Sequence, residues 1–259
     1  MGGSSFANIH GLIRWFSPKD VARVLMSITS MLKKLQGTIL KHSLRNLNIK
    51  LSQGVTGFQR NATLVLEEHV SINASTTEFD RLEVGAYTFI RRGSELLNIA
   101  AIGRFCSIGN NVVLGQNARS HPIEWVSTRH FENAALHKES EDTSQTIIGC
   151  DVWIGREAMI MKGVSIGTGA IIGARSIVTR DIPPYAIAVG APARIVKYRH
   201  TPEMIARLLC SRWWEVAPDV LKVLPFDDPA IFLEKVGGMN CPASYRKVMV
   251  TRDTWRIPR

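Results

Sequence analysis

Seven histidines are the natural place to look for proton-transfer chemistry, because a neutral imidazole titrates at about 6.5 and can accept a proton at neutral pH. His10 and His42 sit in a basic N-terminal region, His69 in an irregular stretch, and His200 before a C-terminal helical pattern. His130 and His137 fall late in a polar segment. His121 differs from these. It stands in Ser120-His121-Pro122-Ile123-Glu124-Trp125-Val126-Ser127-Thr128, where a regular repeat gives way to non-repeating sequence. A zinc hydrolase or carbonic anhydrase centre would need two or three histidines at ligand spacing, and only His121 is available there. Neither a GxGxxG nor a P-loop pattern occurs. The four cysteines (106, 150, 210 and 241) are scattered without a CxxC, which suits free thiols in a reducing compartment.

The elements that must position His121 are written in a period of six. Large aliphatic residues occupy 148, 154, 160, 166, 172 and 178, and a second, earlier train occupies 84, 90, 96, 102, 108 and 114. Leu66 and Ile72 extend the earlier train backwards, past a gap at Glu78. Four residues after each member of the later train comes Val152, Ala158, Val164, Ala170, Ser176 or Ile182, and glycine follows the aliphatic residue at 149, 155, 167 and 173. A helix does not produce this pattern. A triangular coil does, with each six-residue side a short strand and a turn. The aliphatic residue points inward, and the glycine marks a positive φ or a close backbone approach. Each coil buries its face only against its neighbours, so several are required. The step from Leu114 to Ile148 is not a multiple of six, so residues 116–147 are an insertion.

Residues 47–81 are expected to form irregular first coils, since terminal repeats are atypical. Asp181-Ile182-Pro183-Pro184-Tyr185 is expected to break the repeat. Ser17-Pro18-Lys19-Asp20 reads as a helix start. Val21, Val24, Leu25, Ile28, Leu32, Leu35 and Ile39 follow at helical spacing, with Gly37 expected to end or bend the helix. Thr201-Pro202-Glu203 starts a second helix, whose apolar face carries Ile205, Leu208, Leu209 and Trp213. The resulting organisation is a basic amphipathic region at 1–46, a coil domain at 47–200 and a helix and tail at 201–259.

Apolar residues make up 45% of the chain, enough for a core, yet no run is long enough to cross a bilayer. No signal peptide is evident, and Phe6 breaks the myristoylation pattern. The net charge of +10 is uneven, with eight Lys/Arg and one acid in the first fifty residues. Such charge suits phosphorylated ligands, anionic membrane or nucleic acid, but no nucleic-acid module accompanies it and none is expected as a partner. The N-terminal helix reads first as one that packs on or caps the coil, and second as one that touches anionic lipid or an acidic polysaccharide assembly.

The sequence resembles the hexapeptide-repeat acyltransferases, and within them the xenobiotic and saccharide O-acetyltransferase branch. Val84-Gly85-Ala86-Tyr87-Thr88, Ile102-Gly103-Arg104-Phe105-Cys106-Ser107-Ile108-Gly109, the His121 segment, Asp151-Val152-Trp153-Ile154-Gly155, Ser176–Tyr185, Gly190-Ala191-Pro192-Ala193-Arg194 and Trp213-Trp214 carry the resemblance. It implies a left-handed parallel β-helix, dominated by β-structure, with an inserted active-site loop and an N-terminal and a C-terminal helix. It also implies a homotrimer with sites between subunits, and acetyl-CoA as co-substrate without a metal. His121 is implied as general base in direct transfer of an acetyl group to a hydroxyl. Glu124 is implied either to orient the site or to stabilise the loop. Trp153 walls the cleft or packs on a coil edge, and Ser107 and Tyr87 face the acceptor. Arg156, Ala174, Thr179, Arg180, Arg194 and Lys197 line the coenzyme groove. The departure of Arg156 from the smaller residue of some relatives leaves its role open.

The expected acceptor is a saccharide, such as a unit of a bacterial surface polysaccharide. An antibiotic such as chloramphenicol or a streptogramin comes second and the amine of a nucleotide-linked sugar third; a catalytically silent β-helix scaffold is the non-enzyme alternative. The expected location is the cytoplasm; the second reading of the basic helix would add peripheral contact at the inner membrane face.

Overall fold

The structure is a computed structural model that describes residues 18–52, 59, 61–118, 121–129, 143–237, 241–252 and 254–257. Ser17, His10, His130 and His137 lie outside the described residues, as do 119–120 and 130–142 of the insertion. The chain divides into two compact units, Met1–Ser43 and Leu44–Arg259.

In the larger unit, irregular first coils hold β1 (Lys50–Leu51), β2 (Thr63–Glu67) and β3 (Ser71–Thr77). Regular coils follow with β4 (Arg81–Val84), β5 (Phe89–Leu96), β6 (Ile99–Ile102), β7 (Ser107–Ile108) and β8 (Val113–Gln116). After the insertion come β9 (Thr146–Ile148), β10 (Trp153–Ile154), β11 (Met159–Met161), β12 (Ser165–Ile166), β13 (Ile171–Ile172) and β14 (Ile177–Val178). The stack finishes with β15 (Ala186–Gly190) and β16 (Ala193–Tyr198).

Coil-to-coil pairing is parallel and in register. One face runs Phe89↔Ser107↔Trp153↔Ile171↔Ile187. A second runs Glu95↔Val113↔Met159↔Ile177, and a third Val65↔Glu83↔Ala101↔Ile147↔Ser165. The residue after each of these points inward, and all twelve aliphatic residues of the two trains are at most 2% exposed. The gap at Glu78 is absorbed by irregular pairing of β3, which sets Thr77 opposite Leu96 and leaves Phe79 buried. Buried hydroxyls join one coil to the next: Thr88 donates to the Gly103 carbonyl at 2.7 Å, Ser94 to Gly109 at 3.1 Å and Thr146 to Met161 at 3.1 Å.

The glycines that follow the aliphatic residues serve close approach and not left-handed backbone. A Cβ on Gly155 would lie 2.5 Å from the Ala174 amide nitrogen. Positive φ falls two residues later, on Tyr87, Phe105, Asp151 and Glu157. The prolines at 183 and 184 break the period without ending the face. They occupy the corner after Ile182, where no ladder bond is asked of them, and β15 resumes parallel pairing with β13. β16 then folds back antiparallel on β15.

Helix α2 (Pro202–Ser211) begins as expected, with Thr201 Oγ1 accepting from the Met204 amide and Pro202 in the first turn. Two further helices, α3 (Pro218–Leu221) and α4 (Pro229–Gly237), complete a cluster around Leu208, Trp213, Leu221, Phe232 and Val236. This cluster packs on a coil corner through Tyr185, whose hydroxyl accepts from Trp213 Nε1 at 3.4 Å. The tail adds β17 (Lys247–Thr251) and β18 (Trp255–Arg256), and β17 pairs antiparallel with β2.

Where the tail meets the first coils lies a buried ion pair. Glu67, 7% exposed, receives Arg104 Nε at 2.7 Å, Arg104 Nη2 at 2.8 Å and the Ala86 amide at 2.9 Å. Arg104 also donates to the Trp214 carbonyl and lies over the Tyr245 ring. Burial by itself pushes the Glu67 carboxyl up. The Arg104 hydrogen bonds, the Ala86 amide and the charges of Arg104 and Lys247 outweigh it and hold the group below its ordinary range.

Helix α1 (Pro18–Asn46) continues through Gly37 without a break and ends where Asn48 takes a left-handed φ of 53°. A single interior glycine costs a helix only about 1 kcal/mol relative to alanine, which a helix of 29 residues tolerates. The end comes instead from the left-handed turn. Among the described residues no helix is long and apolar enough to cross a membrane.

These contacts set three expectations for stability. Gly155→Ala should lower the urea-unfolding free energy by about 1–3 kcal/mol through backbone overlap. Gly237→Ala, where a Cβ meets nothing within 4 Å, should be neutral or slightly stabilising. Glu67 is more acidic folded than unfolded, so its contribution is complete above the ordinary glutamate range and lost as pH falls through its lowered value. Unfolding free energies from neutral pH down to acid should therefore drop more steeply for wild type than for Glu67→Gln; parallel pH profiles would refute this.

Candidate active site

The His121 segment leaves the coil just after β8, and its described part spans 121–129. His121 is exposed, and its Nδ1 lies 3.0 Å from the carbonyl oxygen of Thr128. A carbonyl oxygen has no proton to give, so Nδ1 carries the hydrogen and Nε2 keeps the lone pair. The chain thus bends back within seven residues and fixes its own imidazole. Pro122 is buried beside the histidine, and Ser127 Oγ accepts from the Arg129 amide at 3.1 Å, which tightens the same bend. Glu124 is exposed; the partner of Nδ1 is a backbone carbonyl, which leaves no side-chain signature in the sequence.

Ser107 and Trp153 are brought together as register neighbours on adjacent coils, with Phe89 on the far side of Ser107. Trp153 is 56% exposed, so its indole presents a face to solvent. Phe89 was not foreseen, although stepping back eighteen residues from Ser107 would have found it. Tyr87 is placed differently. It sits at a corner with φ of 60°, stacked 4.6 Å from His69 and 5.4 Å from Phe105, in a column that Trp213 continues.

Of the residues expected to hold coenzyme, Arg156 and Ala174 share one corner on adjacent coils, tied by the Arg175 amide donating to the Arg156 carbonyl at 2.9 Å. Ala174 is exposed and small. Arg156 Nε pairs with Glu157 at 2.8 Å, and Arg175 reaches the same carboxylate. Thr179 and Arg180 are exposed just after β14, and Arg194 and Lys197 are exposed on β16. Lys197 pairs with Ile187 and so closes the row that runs from Lys50 and Ser71 through Phe89. Among the described residues Arg180 and Lys197 make no ion pair, while Arg194 donates to the Ala193 carbonyl.

A separate cavity of about 340 Å³ lies on the third face, lined by Glu83, Ala101, Arg104, Cys150, Trp214 and Lys247 among others. It contains none of the residues expected for catalysis. Burial raises the Cys150 thiol and pushes Cys106 behind it up to about 12, so neither is a ready nucleophile. Among the described residues no three His, Cys, Asp or Glu side chains form a metal-binding group.

A family model described as bacterial transferase hexapeptide (six repeats) matches residues 145–180. A probable macrolide acetyltransferase from Lysinibacillus sphaericus is 34% identical over 183 residues, covering 68% of this chain and 96% of the relative. The chain belongs to the hexapeptide-repeat acetyltransferase family. A chloramphenicol acetyltransferase from Agrobacterium fabrum is 42% identical over 132 residues, covering 47% of this chain and 62% of the relative. The galactoside O-acetyltransferase of Escherichia coli K12 is 42% identical over 92 residues, covering 35% and 43% respectively. The chain spans 61–64% of the length of the chloramphenicol acetyltransferases it matches. The left-handed sense of the coil comes with the hexapeptide-repeat family.

The Thr128 contact predicts the tautomer directly. With the ring neutral, ¹⁵N-detected NMR should find His121 protonated at Nδ1 and bare at Nε2. The opposite assignment would mean that the carbonyl contact is absent in solution.

Proposed function

We propose that the protein transfers an acetyl group from acetyl-CoA to a hydroxyl of a saccharide, with His121 as general base. The observation that carries this reading is the Nδ1–H···O=C bond from His121 to Thr128, which in the neutral ring leaves Nε2 as the proton-accepting nitrogen. In this mechanism Nε2 removes the acceptor hydroxyl proton as the oxygen attacks the thioester carbon. The tetrahedral oxyanion collapses by breaking the C–S bond, and the imidazolium returns its proton to the departing CoA thiolate. No acyl-enzyme forms in this reading, because the acceptor oxygen attacks the thioester directly.

For the coenzyme, Ala174 admits the pantetheine arm to the corner beside Arg156, Thr179 supplies a hydroxyl, and Arg180, Arg194 and Lys197 meet the phosphates. Trp153 and Ser107 face the acceptor, and Tyr87 supports that face from its aromatic column. Glu124 steadies the loop. A homotrimer, as its family implies, completes each site between neighbouring subunits.

A second reading, an antibiotic as acceptor, is favoured by the 42% identity to a chloramphenicol acetyltransferase. Thiol release from acetyl-CoA over a panel of oligosaccharides, nucleotide sugars, chloramphenicol and a streptogramin separates the two. His121→Ala should lower kcat by about 10²–10⁴-fold while leaving acetyl-CoA affinity unchanged. Turnover by that variant equal to wild type would remove the base assignment. Failure of the wild type to bind acetyl-CoA would leave a silent scaffold.

A further inference from the structure

The outward row Phe89, Ser107, Trp153 places two exposed aromatic rings on either side of one hydroxyl, each step about 4.8 Å. Phe89 is 37% and Trp153 56% exposed. Such a row can pack the apolar face of a sugar ring while Ser107 bonds a hydroxyl. What distinguishes its Phe89 end is charge. Arg91 and Arg92 follow in the same strand, both exposed. The Arg91 guanidinium carbon stands 5.2 Å from the Phe89 ring centre, so the cation is held against the wall instead of extending into water.

Neither arginine is spent on the fold. Arg81, Arg156, Arg175 and Arg199 each hold a carboxylate of this chain. Among the described residues Arg91 and Arg92 hold none. The coenzyme phosphates are assigned elsewhere, while Arg156 stands two coils on at the same corner as Arg92. The end of the row beside Arg91 and Arg92 is five register steps from Lys197, roughly 24 Å away at the usual strand spacing, and the cations assigned to the CoA phosphates gather at the Lys197 end.

We infer that Arg91 and Arg92, beside Phe89, make the acceptor site selective for a carboxylate-bearing saccharide. This rests on the saccharide reading above and narrows it. A guanidinium fork meets a carboxylate through two parallel hydrogen bonds, and a carboxylate on a sugar ring edge reaches it while the ring lies along Phe89, Ser107 and Trp153.

The test uses the full chain with CoA present and calorimetric binding of oligogalacturonate, oligosialic acid and a hyaluronan fragment. Each is paired with its methyl ester, and sugar phosphates form a separate arm. At least one free acid should bind about tenfold or more tighter than its ester, with the advantage shrinking as salt rises. The doubly substituted Arg91→Gln/Arg92→Gln protein should lose that advantage while keeping its acetyl-CoA dissociation constant and melting temperature. Equal affinity for acid and ester, no binding by any acid of the panel, an advantage that survives the double substitution, or preference for phosphate alone would each overturn the inference. Loss of acetyl-CoA binding, or full turnover by His121→Ala, would instead bring down the acetyl-transfer reading, which the acid-to-ester ratio does not touch.

Discussion

Everything in the larger unit depends on the parallel register between coils. A backbone amide in one coil meets a carbonyl in the next, and the inward aliphatic residue of each side lands on its equivalent one coil away. Gly103 donates to Ile148, Gly149 to Ile166 and Gly167 to Ile182, each near 2.8–2.9 Å. These bonds fix the spacing of the outward residues as firmly as that of the inward ones. Phe89, Ser107, Trp153 and Ile171 are therefore in line because the core beneath them is, and the outer row can vary in chemistry without moving.

The two ends of the stack are handled by different physics. At the C-terminal end the chain stops coiling, pairs back on itself through β16, and packs an apolar helical cluster against Tyr185. At the N-terminal end the tail returns to pair β17 with β2, and Arg246 reaches Glu68 at 2.8 Å and the Asn46 carbonyl at 3.1 Å. The Glu67–Arg104 pair sits at this second closure. It is costly to desolvate, and it is repaid by having every carboxylate oxygen engaged.

What the sequence disclosed was whatever is local or periodic. Ile148 through Val178 announced the coil because their spacing is unbroken, and His121 drew notice because it stands where that spacing fails. The start of α2 was legible from Thr201 and Pro202. The contacts between distant parts of the chain were not. Arg104 and Glu67 are 37 residues apart, Arg246 and Glu68 are 178 apart, and neither partner carries a mark of the other. Thr128 was invisible for another reason, since the group that holds His121 is a carbonyl common to every residue. Gly37 misled because local helix propensity counts for little in a long helix.

The insertion departs after Gln116 and returns at Thr146, yet Val113 bonds directly to Ala158 and Gly103 to Ile148 as though nothing intervened. The loop is thus a graft on an indifferent rootstock. The scaffold reads only where its two ends emerge, not how many residues lie between them. The register of the coils on either side is set by their own hydrogen bonds, so the fold joins two runs of repeat across a segment that keeps no period of its own.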